Sequence, residues 1–242
     1  MLCENKFLRS ATDLNLKTKK LAWITLFMIF LSVGFIFLVK NVDIAPVGPF
    51  ERIVGLSSIN KFFLELFGFN ILWYRVTNMP GMIIDLLVVF VFFVTGLKQL
   101  IQRKSILKVD RNILILGAVY VASFLTYILF EKFAINYRPV ILPGEKILEP
   151  SFPSSHTMFA IVVTGTAIME CQRLIKNKKV RRIIDCLLCL VGLVVIVGRM
   201  ISGVHWFTDI IGGILLGCTL LVVYALMVDV FDNKFDNRIK RF

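Results

Sequence analysis

Along this chain the apolar residues gather into long unbroken runs. They show neither the period-two alternation of a half-buried strand nor the narrow apolar stripe of a soluble helix. Six runs stand out, at about 21–39, 82–101, 113–130, 156–172, 183–201 and 210–228. Each approaches the roughly 20 residues that a helix rising about 1.5 Å per residue needs to cross a hydrocarbon layer about 30 Å thick. The pattern predicts an all-α, polytopic membrane protein: six transmembrane helices in one bundle, forming a single domain over residues 1–242. A basic stretch precedes the first run, as in a signal peptide. The run is too long for a signal h-region, and no small-residue cleavage site follows before Lys40, so it is expected to stay as an anchor.

Composition agrees with lipid as the solvent. The 242 residues are 57% hydrophobic, with a mean hydropathy of +0.81, above the usual soluble balance. The net charge of +12 changes the picture only through its distribution. Basic residues cluster before the first run (Lys6, Arg9, Lys17, Lys19, Lys20), between the second and third (Arg103, Lys104, Lys108, Arg111), between the fourth and fifth (Arg173, Lys176, Lys178, Lys179, Arg181, Arg182), and in the tail (Lys234, Arg238, Lys240, Arg241). With six crossings all four clusters fall on one side, which the positive-inside bias makes cytoplasmic, both termini included. The charge therefore reads as topology and lipid-headgroup contact, not nucleic-acid binding. Membrane lipids are the expected surroundings.

Cys3, Cys171, Cys186, Cys189 and Cys218 lie in the N-terminal stretch or inside runs, so no disulfide is expected. Cys186 and Cys189 have C-x-x-C spacing. With no second pair and no neighbouring histidine, they read as small buried hydrophobes.

Between the runs, residues 41–80 form the longest outward piece. Phe62, Phe63, Leu66 and Phe67 recur at helical spacing, which predicts a short helix in the membrane interface, with Trp73 and Tyr74 at headgroup level. The next outward connection, about 131–155, is polar and punctuated by Pro139, Pro143, Pro150 and Pro153; the last, about 202–209, is short.

These last two connections carry the candidate chemistry. The chain's two histidines, His156 and His205, fall at outer ends of predicted helices, and Arg138, Arg199 and Asp209 lie at the same level. Ionisable groups beside hydrocarbon are costly, so such a cluster points to function. Asp209 follows His205 by four residues, one turn of a helix, where its carboxylate can take the proton of one imidazole nitrogen and leave the other free to attack. Arg199 and Arg138 offer two planar forks suited to a phosphoryl group. Pro153-Ser154-Ser155-His156 opens a helix whose first N–H groups add to that anion site, with Ser154 at its cap. Carboxylates and histidines are too few and too scattered for a metal centre. Asp85 is expected to begin the second crossing and to face the site. Asp185 is expected to pair with Arg181 or Arg182.

These residues resemble the type 2 phosphatidic acid phosphatase (PAP2) superfamily, whose membrane branch is a six-helix bundle. The resemblance runs over about 130–212. It rests on Pro153-Ser154-Ser155-His156, on Gly198-Arg199 followed after five residues by His205 and then Asp209, and on Lys132 ahead of Arg138-Pro139. Ser155 stands where the family usually has glycine, and Gly198 where it has serine. Lys132 is one residue closer to Arg138 than usual, with Glu131 at the customary spacing. The resemblance implies hydrolysis of a lipid phosphate: His205 attacks phosphorus, Asp209 orients it, and His156 protonates the leaving oxygen and then activates water. Arg138, Arg199, Ser154, Ser155 and Lys132 are implied to hold the phosphate, with no cofactor.

A site of this kind at the outer face of the cell membrane expects a substrate whose tail lies in the bilayer. Polyprenyl diphosphate, phosphatidate and phosphatidylglycerol phosphate all qualify, and the shortness of the chain favours the first. Transfer of the phosphate to an acceptor lipid, or carriage of a lipid phosphate without turnover, are the alternatives. Charges at one face instead of midplane sites in repeated halves speak against a carrier.

Overall fold

The computed structural model describes residues 2–142 and 144–239, with side chains described for 16–142 and 144–232. The basic residues Lys6, Arg9, Lys234, Arg238, Lys240 and Arg241 near the two termini, together with Cys3 and Pro143, lie outside these described side chains. The helices are α1 (Leu2–Asn41), α2 (Ser57–Phe67), α3 (Ile71–Arg103), α4 (Arg111–Lys132), α5 (Ser155–Leu174), α6 (Lys178–Ile201) and α7 (Phe207–Ile239). Between α1 and α2 two short strands, β1 (Ala45–Pro46) and β2 (Ile53–Val54), pair antiparallel with Ala45 opposite Val54.

Among the described residues five stretches are long and apolar enough to cross a membrane: Leu16–Asn41, Ile71–Arg103, Arg111–Lys132, Lys178–Ile201 and Phe207–Asp232. The protein is a multi-pass membrane protein. The sixth expected crossing, 156–172, does form a helix, α5, but does not join this set. Its 20 residues bury Thr157, Thr164, Thr166 and Glu170. The reason is position. α5 packs against α3, α4, α6 and α7, so its side chains meet protein where the outer helices meet lipid. Thr164 and Thr166 bond back to the carbonyls of Ala160 and Val162 (2.6 and 2.7 Å), and Glu170 accepts from the Tyr224 hydroxyl at 2.6 Å. Polar side chains enclosed and paired in this way do not meet hydrocarbon.

Three further expectations are corrected. α3 starts at Ile71, not near 82, because Asn70 caps it by accepting from the N–H groups of Leu72 and Trp73. Pro80 then sits inside the helix, as membrane helices tolerate when neighbours satisfy the freed carbonyl. Asp85 is accordingly a mid-helix residue, not a helix start. Cys186 and Cys189 are exposed, not buried; they share the lipid-side face of α6 with Ile183, Leu187 and Leu190, where a thiol costs little. Asp185 pairs with neither arginine: its Oδ1 is buried without a hydrogen bond, and Arg181 reaches the Gln172 carbonyl at 3.5 Å.

The short helix expected before α3 is α2. Phe63 stacks on Phe207, the first residue of α7, at 4.0 Å, and the buried Asn60 accepts from Thr208 N–H at 3.0 Å. α2 thereby caps the start of α7. The connections 42–56, 133–154 and 202–206 converge at this end of the bundle: Arg52 lies over the Tyr137 ring, and Asn70 N–H donates to Ser202.

Candidate active site

Three connections build the site. The 133–154 segment doubles back on itself, with Tyr137 bridged to Pro150, Arg138 N–H donating to Glu149 and Ser151 N–H to Asn136. This fold turns Arg138 inward and brings the Ser151 carbonyl against the α6–α7 turn. The Phe152–Pro153 peptide is cis, and Ser154 N–H donates to the Asp209 carbonyl at 2.9 Å, which fixes the start of α5 to the start of α7. The α6–α7 turn is tight: Gly203 has φ +65°, and a Cβ there would collide with the Gly68 carbonyl. Only glycine suits both demands.

His205 is at the centre. Its Nε2 lies 3.0 Å from Arg199 Nη2 and 3.3 Å from Arg138 Nη1. Guanidinium groups only donate, so Nε2 carries the lone pair and Nδ1 the proton. The Nδ1–H donates to the Ser151 carbonyl at 3.0 Å. Burial, then the cations Arg138 and Arg199, then His156, push the His205 pKa well below its ordinary value. The imidazole is therefore neutral near neutral pH, with a free nitrogen aimed between two cations. That is the form of a nucleophile for a phosphoryl group.

Asp209 differs in detail from the expectation. Its Oδ2 is 3.6 Å from His205 Nδ1 and accepts from Trp206 N–H at 2.9 Å. Its Oδ1 accepts from Asn136 Nδ2 at 3.2 Å. The carboxylate thus supplies negative charge beside the imidazole and holds the turn, while the nearest acceptor to Nδ1–H is a backbone carbonyl. Trp206 Nε1 donates to the Tyr137 carbonyl at 2.7 Å, tying the same turn to the loop that brings Arg138.

Arg199 has no exposed surface. Its Nε and Nη1 are buried without hydrogen-bond partners, and its guanidinium lies 5.7 Å from the Tyr74 ring centroid. An arginine held this way is expensive unless an anion completes it. Arg138 is partly tied: its Nε donates to Glu149 Oε2 at 2.9 Å. Gly198, standing where the resembling family has serine, also has a local reason. A side chain there would run into Thr77 Cγ2 and the Trp73 ring, so α3 occupies the place a hydroxyl would take.

His205, Arg138, Ser155 and His156 line one cavity of about 150 Å³, together with Glu131, Glu149 and Ser151. His156 Nδ1 is buried and carries no hydrogen bond. Arg199 and Asp209 stand behind His205 and outside this lining, and Ser154 and Lys132 are not brought into it either. The Ser154 hydroxyl is buried and accepts from Thr157 Oγ1 at 3.0 Å, which makes it a packing group at the helix start. Lys132 ends α4 exposed, with Nζ 5.8 Å from the Phe133 ring centroid, and Glu131 lines the cavity in its stead. Sequence reasoning passed over Asn136, Ser151 and Glu149. Proximity to Arg138 was the one signal for Asn136; a carbonyl acceptor such as that of Ser151 leaves no mark in residue type. Among the described residues, no three His, Cys, Asp or Glu side chains gather in a metal-binding group.

Comparisons with known proteins bear on this arrangement. Residues 111–232 match the model of the PAP2 superfamily. The chain is also similar to the crystal structure of the first transmembrane PAP2 type phosphatidylglycerolphosphate phosphatase from Bacillus subtilis, at 18% identity over 96% of this chain and 98% of that one, with a TM-score of 0.45. Among curated protein sequences none matches.

Proposed function

This chain belongs to the PAP2 superfamily, and from that premise we propose that it is a lipid phosphatase that removes phosphate from a lipid monoester or diphosphate through a phosphohistidine at His205. The observation that carries the reading is the convergence of Arg199 Nη2 and Arg138 Nη1 on His205 Nε2 at 3.0 and 3.3 Å. A phosphoryl group entering there meets a neutral nucleophile and two guanidinium forks at once.

The reaction follows from the groups present. The guanidinium N–H groups now facing Nε2, with Arg199 Nε and Nη1, turn to the phosphoryl oxygens and take up the charge that builds on them. Nε2 bonds to phosphorus as the bond to the lipid oxygen breaks, and His156, entering the step as the imidazolium, gives that oxygen its proton. The neutral His156 then takes a proton from water, which attacks phosphorus. The P–N bond breaks, inorganic phosphate leaves, and His205 returns to its starting form. Asp209 and the Ser151 carbonyl balance the positive imidazole of the intermediate. Ser155, at the first turn of α5, adds its hydroxyl and the free N–H groups of the helix start. Lys132, exposed and outside the cavity lining, is left without a part in the cradle.

We place six crossings in the membrane, α5 included, with the basic α3–α4 and α5–α6 connections on the cytoplasmic side and the site at the outer face of the cell membrane. Polyprenyl diphosphate, phosphatidate and phosphatidylglycerol phosphate share the head this site grips. The test is phosphate release by the purified protein in detergent, with and without a chelator, beside His205→Ala. We expect release that survives chelation and falls at least about 10³-fold in the variant. Release that persists in His205→Ala, or that chelation abolishes, contradicts the proposal.

A further inference from the structure

Arg138 is held from two sides. Its side chain is 13% exposed, against 36% for Glu149. The two are 11 residues apart in sequence, and the doubled-back 133–154 segment sets them side by side. Arg138 N–H donates to the Glu149 carbonyl at 3.0 Å, and Arg138 Nε donates to Glu149 Oε2 at 2.9 Å. At the far end of the same guanidinium, Nη1 donates to the Val204 carbonyl and faces His205 Nε2, both at 3.3 Å. Glu149 stands in the cavity lining with Arg138 and His205, and the reaction derived above does not use it.

Without Glu149, two effects would move that arginine away. Arg199 is already wholly buried against Nε2, and a second cation aimed at the same nitrogen is repelled by the first. An arginine side chain also loses rotamer freedom when it is fixed, so a partly exposed Arg138 left to itself relaxes toward water. The Glu149 carboxylate opposes both effects. It takes the Nε edge, which leaves the Nη1 end turned to His205 and able to grip a phosphoryl oxygen. An ion pair on an open surface contributes little. Here both partners line the cavity in which the reaction runs, and the pair fixes a direction.

The same carboxylate brings negative charge to a cavity that receives an anion. Glu131, at the spacing where the family has lysine, adds a second carboxylate to the lining. Like charge nearby weakens the hold on phosphate, whether it arrives on the lipid or leaves as the product. The acceptor oxygen and the charge of Glu149 are therefore separable contributions of one side chain.

We propose that Glu149 is a positioning residue: its acceptor oxygen points Arg138 at His205, and its charge speeds the departure of inorganic phosphate. This rests on the phosphatase reading above.

The experiment compares wild type, Glu149→Gln and Glu149→Ala on dioleoyl phosphatidate in detergent, reading kcat/KM against pH and inhibition by inorganic phosphate. Gln keeps an acceptor at the same reach without the charge, and Ala loses both. Glu149→Ala should lower kcat/KM about 10- to 100-fold, the scale of a misplaced positioning contact. Its acid limb, which reports His205, should move to higher pH. Burial, Arg138 and Arg199 hold that pKa down, and in this variant Arg138 has turned away. Glu149→Gln should keep at least about a third of the wild-type kcat/KM, with no upward move of the limb. Its inhibition constant for phosphate should fall about 3- to 10-fold. Should Glu149→Ala fail to fold, the Gln variant decides through that constant.

An Ala variant that keeps wild-type kcat/KM overturns the proposal. So does one that loses activity with its acid limb in place, which is what a merely structural role produces. A Gln variant that falls as far as Ala, or that binds phosphate no tighter than wild type, overturns it too. In each of these cases phosphate release by the wild type leaves the phosphatase reading standing. A wild type that releases phosphate from neither dioleoyl phosphatidate nor farnesyl diphosphate removes that reading, and this proposal with it.

Discussion

At one end of the bundle Arg199 is wholly buried and Arg138 nearly so, both turned on a histidine. At the other end Arg103 pairs with Asp110 at 2.7 Å and Arg173 with Asp232 at 3.2 Å, with all four side chains at least 36% exposed. The residue types are the same and the physics is opposite. An exposed ion pair contributes at most about 1 kcal/mol and is dispensable. A buried guanidinium with unbonded nitrogens is costly in the resting fold and useful only when an anion arrives. Counting charges would not separate these two regions; their burial and partners do.

The sharpest way to break this comparison is to exchange arginines across it. Arg199→Ala should lower kcat/KM by about 10²- to 10³-fold, the usual loss for one donor aimed at developing charge, while Arg173→Ala should stay within about twofold. Steady-state phosphate release on both variants checks the contrast. If the two lose equally, burial is not what separates them.

Gly198→Ser restores the residue the wider family carries, yet we expect a loss. The new side chain meets Thr77 and Trp73 and must displace α3 or tilt Arg199, a typical overpacking cost of about 1–3 kcal/mol. A lower melting temperature in detergent, with reduced activity, is the expected pair of readings.

The cations also set a pH signature. His205 attacks as the neutral imidazole, and burial with Arg138 and Arg199 holds its pKa well below 6.5, so in the free protein it stays neutral through mildly acidic pH. Removing one cation lets the pKa rise. In Arg138→Gln the acid limb of kcat/KM that reports His205 should therefore move to higher pH, toward 6.5. A limb that stays in place or moves down refutes the electrostatic account. The smallest effect belongs to Lys132→Ala, exposed and outside the cavity: less than about threefold in the same assay.

Much of the site was legible because its residues are rare and misplaced for a membrane chain. Two histidines, two arginines and an aspartate at the ends of apolar runs have few innocent readings, and His156, His205, Arg138 and Arg199 do come together. What was not legible is carried by backbone. The Ser151 carbonyl, not Asp209, is the nearest acceptor of the His205 proton, and no residue type announces a carbonyl. Lys132 looked right by proximity to the motif, but the turn at the end of α4 sends Glu131 to the cavity instead. For the fold, apolar runs located the helices exposed to lipid. They misjudged the start of α3, which the Asn70 cap sets well ahead of the apolar run at 82–101, and the character of α5, whose polar residues are enclosed by its neighbours.

The measurement that tests the central claim most directly is capture of the phosphoryl group. The purified protein would be mixed with phosphatidate, quenched within milliseconds at alkaline pH where phosphohistidine survives, and digested for mass spectrometry, with His156→Ala and His205→Ala in parallel. The account predicts phosphate on His205 in the wild type, a longer-lived signal in His156→Ala, where water is no longer activated, and none in His205→Ala. Phosphate found on another residue, or turnover with no phosphorylated protein at any time, would contradict it.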